Sequence, residues 1–102
     1  MDNCAGVDMV LRRGVVGEIY NIGGGNETTN RELTEKVLGL LGAGDDMIEY
    51  VQDRLGHDRR YSIDCSKANA LGWKPSRTLD EALAETVEWY RANRAWWEPL
   101  KG

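Results

Sequence analysis

The chain has 102 residues, 29% of them charged and 41% hydrophobic, and 13 Lys plus Arg against 17 Asp plus Glu leave a net charge of −4. These figures fit one globular domain able to bury a single core, and they exclude disordered and fibrous classes. Apolar runs such as Met9-Val10-Leu11 are too short to span a bilayer, and no basic stretch precedes an apolar one as a secretory signal requires. A pI near 5.0 argues against a nucleic-acid module. Two cysteines and one histidine are too few for a structural zinc site. The expectation is a small acidic domain of the cytoplasm, with neither nucleic acid nor membrane as partner.

In chain order, Asp2 is placed to cap a first helix in which Cys4, Val7 and Leu11 recur at i, i+3 and i+7, with Val10 beside them. Arg12 and Arg13 suit its C-terminal dipole and Gly14 ends it. Residues 17–22 alternate toward β, and Gly23-Gly24-Gly25 then reads as a loop. Thr29 and Glu32 have capping-box spacing and open a second helix. Leu33, Val37, Leu40 and Leu41 form its apolar stripe, and Gly42 stops it. Residues 47–51 predict a second strand, 52–60 an irregular segment and 61–63 a third strand. Asp64 or Ser66 caps a two-turn helix closing at Leu71-Gly72, and Trp73-Lys74-Pro75 predicts a turn. Thr78 and Glu81 repeat the capping-box spacing before the longest helix, with Leu79, Leu83, Val87 and Tyr90 on one face. Trp89, Trp96 and Trp97 crowd its end, and the four tryptophans are expected to pack that helix or a neighbouring surface. The order α-β-α-β-β-α-α predicts an α/β domain with a small sheet of about three strands and flanking helices.

The glycine loop invites comparison with a dinucleotide fingerprint, but Thr28 stands where a third glycine or alanine is needed for close helix–strand packing. A tight turn, or a loop approaching another ligand, fits better. The polar run Asn26, Glu27, Thr28, Thr29, Asn30 lies at a helix N-terminus, where end amides and the dipole favour an anion. An Asn amide there donates to a phosphate oxygen without adding charge. Plain capping by Asn30 and the threonines explains the same residues.

Asp53-Arg54-Leu55-Gly56-His57-Asp58-Arg59-Arg60-Tyr61 holds three arginines and the only histidine. The arginine fork matches phosphate or carboxylate and stays charged. Gly56 lets the backbone turn, and His57 is able to hydrogen-bond a phosphate or stack on a base. The alternative is a solvated loop in which Asp53 and Asp58 neutralise two arginines. No nucleophile stands beside a His–acid pair, and Cys4 and Cys65 read as small core residues.

These motifs carry a family resemblance. The run Gly17-Glu18-Ile19-Tyr20-Asn21-Ile22-Gly23-Gly24-Gly25-Asn26-Glu27-Thr28-Thr29-Asn30 resembles the corresponding stretch of the dTDP-glucose 4,6-dehydratases. So do the Asp53-to-Tyr61 run, Ile63-Asp64, Lys67, Leu71-Gly72-Trp73-x-Pro75 and Thr86-Val87-Glu88-Trp89-Tyr90, in matching order and spacing. The resemblance implies the C-terminal substrate domain of an extended short-chain dehydrogenase/reductase over residues 1–102, a fragment lacking the NAD-binding Rossmann half. In the parent enzymes it implies NAD chemistry: C4 oxidation, loss of water across C5–C6 and hydride return, giving dTDP-4-keto-6-deoxyglucose for deoxysugar and rhamnose biosynthesis. The Tyr-x-x-x-Lys pair of that chemistry is missing, because Gly24, Arg54, Cys65 and Arg94 stand four after the tyrosines. The implied chain therefore has no catalytic residue and no metal, binds no NAD itself and is inactive alone. Carried over, the family implies that Asn30 contacts the diphosphate of a dTDP-sugar nucleotide. It also lays Asp53, Arg54, Leu55, Gly56 and His57 against the nucleotide, Arg54 and His57 near its phosphates. The competing expectation is a non-enzymatic truncated paralogue, an interaction module pairing with itself or with a full-length partner.

Overall fold

Five helices carry the regular structure of a computed structural model describing residues 1–101: α1 (Asp2–Arg13), α2 (Asn30–Leu41), α3 (Ser66–Ala70), α4 (Leu79–Ala92) and α5 (Arg94–Trp97). Single 3-10 turns lie at Asp45–Met47 and Glu98–Leu100. The chain divides into two units, the first from Met1–Glu27 with Arg54–Thr78, the second from Thr28–Asp53 with the chain from Leu79 onward.

No strand forms among the described residues, which corrects the expected three-stranded sheet. A strand exists only where a neighbouring segment completes its hydrogen-bond ladder. Residues 17–22 and 61–63 belong to the first unit and 47–51 to the second, and in none of the three does a ladder form. Their β-favouring side chains Ile19, Tyr50, Val51 and Tyr61 are exposed, so the packing that makes such residues favourable in a sheet is absent. A side-chain bond stands there instead: the Asn21 side-chain amide donates to the Asp64 carbonyl at 3.1 Å.

The core of the first unit is built on Trp73, only 5% exposed, and on buried Ala68. The Trp73 indole N–H donates to the Asp2 carbonyl at 3.1 Å, and its backbone amide donates to the Ala68 carbonyl at 3.2 Å. Gly6 is the buried residue of α1. A Cβ there would lie 2.7 Å from Ile22 and 3.0 Å from the indole nitrogen, so the close approach of helix and ring requires glycine. This contact turns α1 so that Met9 and Val10 are half-buried while Cys4, Val7 and Leu11 face outward. The expected stripe was therefore the wrong face, and Cys4 is not a core residue. Asp2 also differs from expectation. It begins α1 instead of capping it, and its carboxylate accepts from the Ser76 hydroxyl at 2.5 Å and the Ser76 amide at 3.2 Å. The N-cap of the next helix is Cys65, not Asp64 or Ser66 as expected; Asp64 stands one residue earlier and accepts from the Ser66 amide at 2.8 Å.

In the second unit α2 packs on α4. Val87 is buried, with Leu33, Val37, Leu79 and Leu83 half-buried, while Leu40 and Leu41 are exposed. Lys36 pairs with Asp80, and the Arg91 guanidinium donates to the Leu40 carbonyl at 2.8 Å. The aromatic residues that follow stack edge-to-face: Trp89 meets Tyr90 and Trp96 with ring centres 5.2 and 5.3 Å apart. Trp73 belongs to the first unit, where it packs against α1.

Candidate functional site

Gly56 adopts φ +72°, a left-handed conformation that side-chain-bearing residues adopt only at a cost. The His57 amide closes this turn by donating to the Arg54 carbonyl at 3.2 Å. The positive φ at the third of four residues suits a glycine β-turn. The tight return leaves Leu55 fully exposed at the tip, 101%, and brings Arg54 and His57 to the same side. Together with Asp58 and Tyr61 they line an open, mainly polar depression of about 290 Å³. The expected residues Arg54, Leu55, Gly56 and His57 are therefore brought together. Asp58 and Tyr61 join them, although the motif reading gave neither a binding role. Only the return of the chain after the turn places them there.

The arginines of this segment divide. The Arg60 guanidinium donates to both Glu27 carboxylate oxygens, at 2.5 and 2.6 Å, and the Ser62 hydroxyl donates to one of them at 2.7 Å. Arg60, then Ser62, hold the Glu27 carboxyl below its ordinary range, and Glu27 raises Arg60. Arg60 is thus neutralised by a residue of the glycine-loop segment, not by Asp53 or Asp58, whereas Arg54 lines the depression.

Asn30 and Asp53 belong to the second unit. Asn30 is the first residue of α2 and is exposed; its carbonyl accepts from the Thr34 hydroxyl at 2.7 Å. The capping box is complete beside it. The Glu32 amide donates to the Thr29 hydroxyl at 3.2 Å, and the Thr29 amide donates to the Glu32 carboxylate at 2.8 Å. The hydroxyls of Thr28 and Thr29 donate to that carboxylate too, at 3.1 and 2.8 Å. The Thr29 amide, then the two hydroxyls, hold Glu32 below its ordinary range. The capping box thus takes up the Thr29 and Glu32 amides at this helix end. The glycine loop does not fit the pyrophosphate of NAD. A Cβ on Gly23 would lie 2.7 Å from Ile63, and the Gly23 carbonyl faces the Cys65 thiol at 3.6 Å, so neighbouring chain covers this backbone. Among the described residues no group of His, Cys, Asp and Glu is arranged to hold a metal, and no helix is long and apolar enough to cross a membrane.

No family model matches the chain. A dTDP-glucose 4,6-dehydratase of Streptomyces antibioticus is 55% identical over 101 residues, which is 98% of this chain and 30% of the relative. The low-salt glycan biosynthesis protein Agl12 of Haloferax volcanii is 52% identical over 89 residues, 87% of this chain and 29% of the relative. The solved dTDP-glucose 4,6-dehydratase DesIV of Streptomyces venezuelae, with NAD and TYD bound, superposes with a TM-score of 0.92 at 53% identity, covering 98% of this chain and 31% of that one. The enzyme of Bacillus anthracis in complex with NAD gives 0.89 at 51% identity, covering 98% and 32%. In sequence and in fold, this chain is thus a relative of the dTDP-glucose 4,6-dehydratases, matching a C-terminal part of them and spanning about 30% of their length.

Proposed function

We propose that this chain is the substrate-binding part of a dTDP-glucose 4,6-dehydratase, taking the diphosphate of a dTDP-sugar nucleotide and not catalytic alone. The observation that carries this reading is the polar depression lined by Arg54 and His57. Arg54 supplies a planar, permanently charged fork matched to phosphate oxygens, and His57 supplies a ring donor beside it. Leu55 and Gly56 lie against the nucleotide, the first through its exposed side chain and the second through backbone freed by the turn. Asn30 and Asp53 enter by their positions in the family motifs: Asn30 as a neutral amide donating to the diphosphate, Asp53 as the residue leading into the turn. Conversion of dTDP-glucose to dTDP-4-keto-6-deoxyglucose, with NAD as oxidant and then reductant, belongs in this reading to the longer parent enzyme. No NAD is expected on this chain, and the covered backbone of Gly23 supports that.

Titration of the chain with dTDP, followed by NMR or calorimetry, tests the reading. Saturable binding that weakens about tenfold in Arg54→Ala is expected, the scale of one charge-assisted contact. Absence of any response at millimolar dTDP, or equal affinity in the variant, overturns it.

A second reading, an interaction module that pairs with another copy or with a full-length partner, is favoured by the outward stripe of α1. Leu11 is 83% exposed and Val16 beyond the helix 101%.

A further inference from the structure

The Glu27 carboxylate has no part in the nucleotide contacts proposed above, yet it gathers donors from residues 60 and 62 across more than 30 positions of chain. Both of its partners flank Tyr61. In backbone without helical turns, residues two apart share a side and the residue between them points away. Arg60 and Ser62 are both committed to Glu27, while Tyr61 lines the depression with Arg54, His57 and Asp58. As a stabilising device the clamp is poor, because Arg60 and Glu27 are 67% and 51% exposed and exposed ion pairs contribute little. Its geometric consequence is larger. A rotation of segment 60–62 would carry Tyr61 away from the 54–57 turn, and the two short bonds from Arg60 with the third from Ser62 oppose that rotation.

We propose that Glu27 is a positioning residue: through Arg60 and Ser62 it holds the Tyr61 ring at the nucleotide depression. Tyr61 is 74% exposed, so its ring is an open aromatic face on which a nucleoside is able to stack. Glu27 touches no ligand; it decides whether that face is presented. This inference rests on the nucleotide-binding reading only for its ligand. The placement of Tyr61 is a property of the free chain.

The test follows the Tyr61 ring signals by NMR in the free chain, and affinity for dTDP and for inorganic pyrophosphate, in Glu27→Gln, Arg60→Met, their double variant and Ser62→Ala. The thermal midpoint serves as the folding control. Glu27→Gln and Arg60→Met are expected to shift the Tyr61 ring signals and to weaken dTDP about fivefold, the scale of one lost contact, with pyrophosphate affinity unchanged. The double variant is expected to be no weaker than either single one, since the two residues act through each other. Ser62→Ala keeps the ion pair and is expected to give a smaller shift in the same direction. Unmoved Tyr61 signals in Glu27→Gln overturn the proposal, as does equal weakening of dTDP and pyrophosphate. Should the unaltered chain bind neither probe, the nucleotide reading fails, and the Tyr61 signals alone decide the role of Glu27.

Discussion

Gly6 and Gly56 are required for opposite reasons, one for space and the other for backbone angle. Gly6→Ala would place a methyl 2.7 Å from Ile22 and 3.0 Å from the Trp73 indole. The expected loss is about 1–3 kcal/mol, the usual cost of overpacking, read as a lower denaturant midpoint. Gly56→Ala meets no neighbour within 4 Å but inherits φ +72°. About 1–2 kcal/mol of left-handed strain should loosen the turn, with dTDP affinity falling while the α1 amides keep their exchange protection. Trp73→Ala removes the most buried large side chain of the first unit, and the expected cost is about 3–5 kcal/mol. Exchange protection in α1 should collapse with it. Charge adds a pH dependence with a definite sign. Asp2 is held below its ordinary 3.8 chiefly by the Ser76 hydroxyl and Glu18 below its ordinary 4.5 by Lys67. Arg60 does the same for Glu27, and the Thr29 and Ser66 amides do so for Glu32 and Asp64. Depressed carboxylates contribute stability that is present above their unfolded values and lost as pH falls through the folded ones. Thermal midpoints should therefore hold from neutrality down to the ordinary carboxylate range and drop below it. A midpoint that rises on acidification would show that these bonds do not favour the folded state.

The ends of α2 are the most legible feature at this scale, because its caps are local chemistry. Thr29 with Glu32 and Gly42 mark the ends of α2 in the sequence, and both are found in place. Thr29→Ala should cost about 1 kcal/mol, seen as faster amide exchange through the first turn of α2. Which face a helix buries proved less local. Cys4, Val7 and Leu11 have helical spacing, yet Gly6 faces the core because Trp73, 67 positions later, needs a neighbour without a side chain. The three β-like runs form no strand for a related reason. Ile19, Tyr50 and Tyr61 favour pleated backbone, but propensity does not create the partner strand that a ladder needs.

At the scale of the whole molecule, the exposed apolar residues bear on how the chain behaves in solution. Val7, Leu11, Val15, Val16 and Ile19 are all exposed in the first unit, and water leaves such surface at a gain of about 25 cal/mol per Å². Sedimentation at rising concentration should show self-association that Leu11→Glu abolishes; a monomer throughout would remove the support for the interaction-module reading. The segment from Asp53 to Tyr61 is another matter of scale. Its arginines, its histidine and Gly56 are readable in one short motif, and so is their fitness for phosphate. Their division of labour is not. Arg54 lines the depression and Arg60 is consumed by Glu27, because a contact across 33 positions leaves no periodic trace in composition or spacing. By itself the sequence determined both caps of α2, the glycine turn and the kinship with the dTDP-glucose 4,6-dehydratases, since each is written in neighbouring residues or in ordered motifs. Only the tertiary structure decided which face of α1 is buried, that no sheet forms among the described residues and that Arg54 lines the depression while Arg60 pairs with Glu27. Those outcomes depend on partners that arrive from distant parts of the chain.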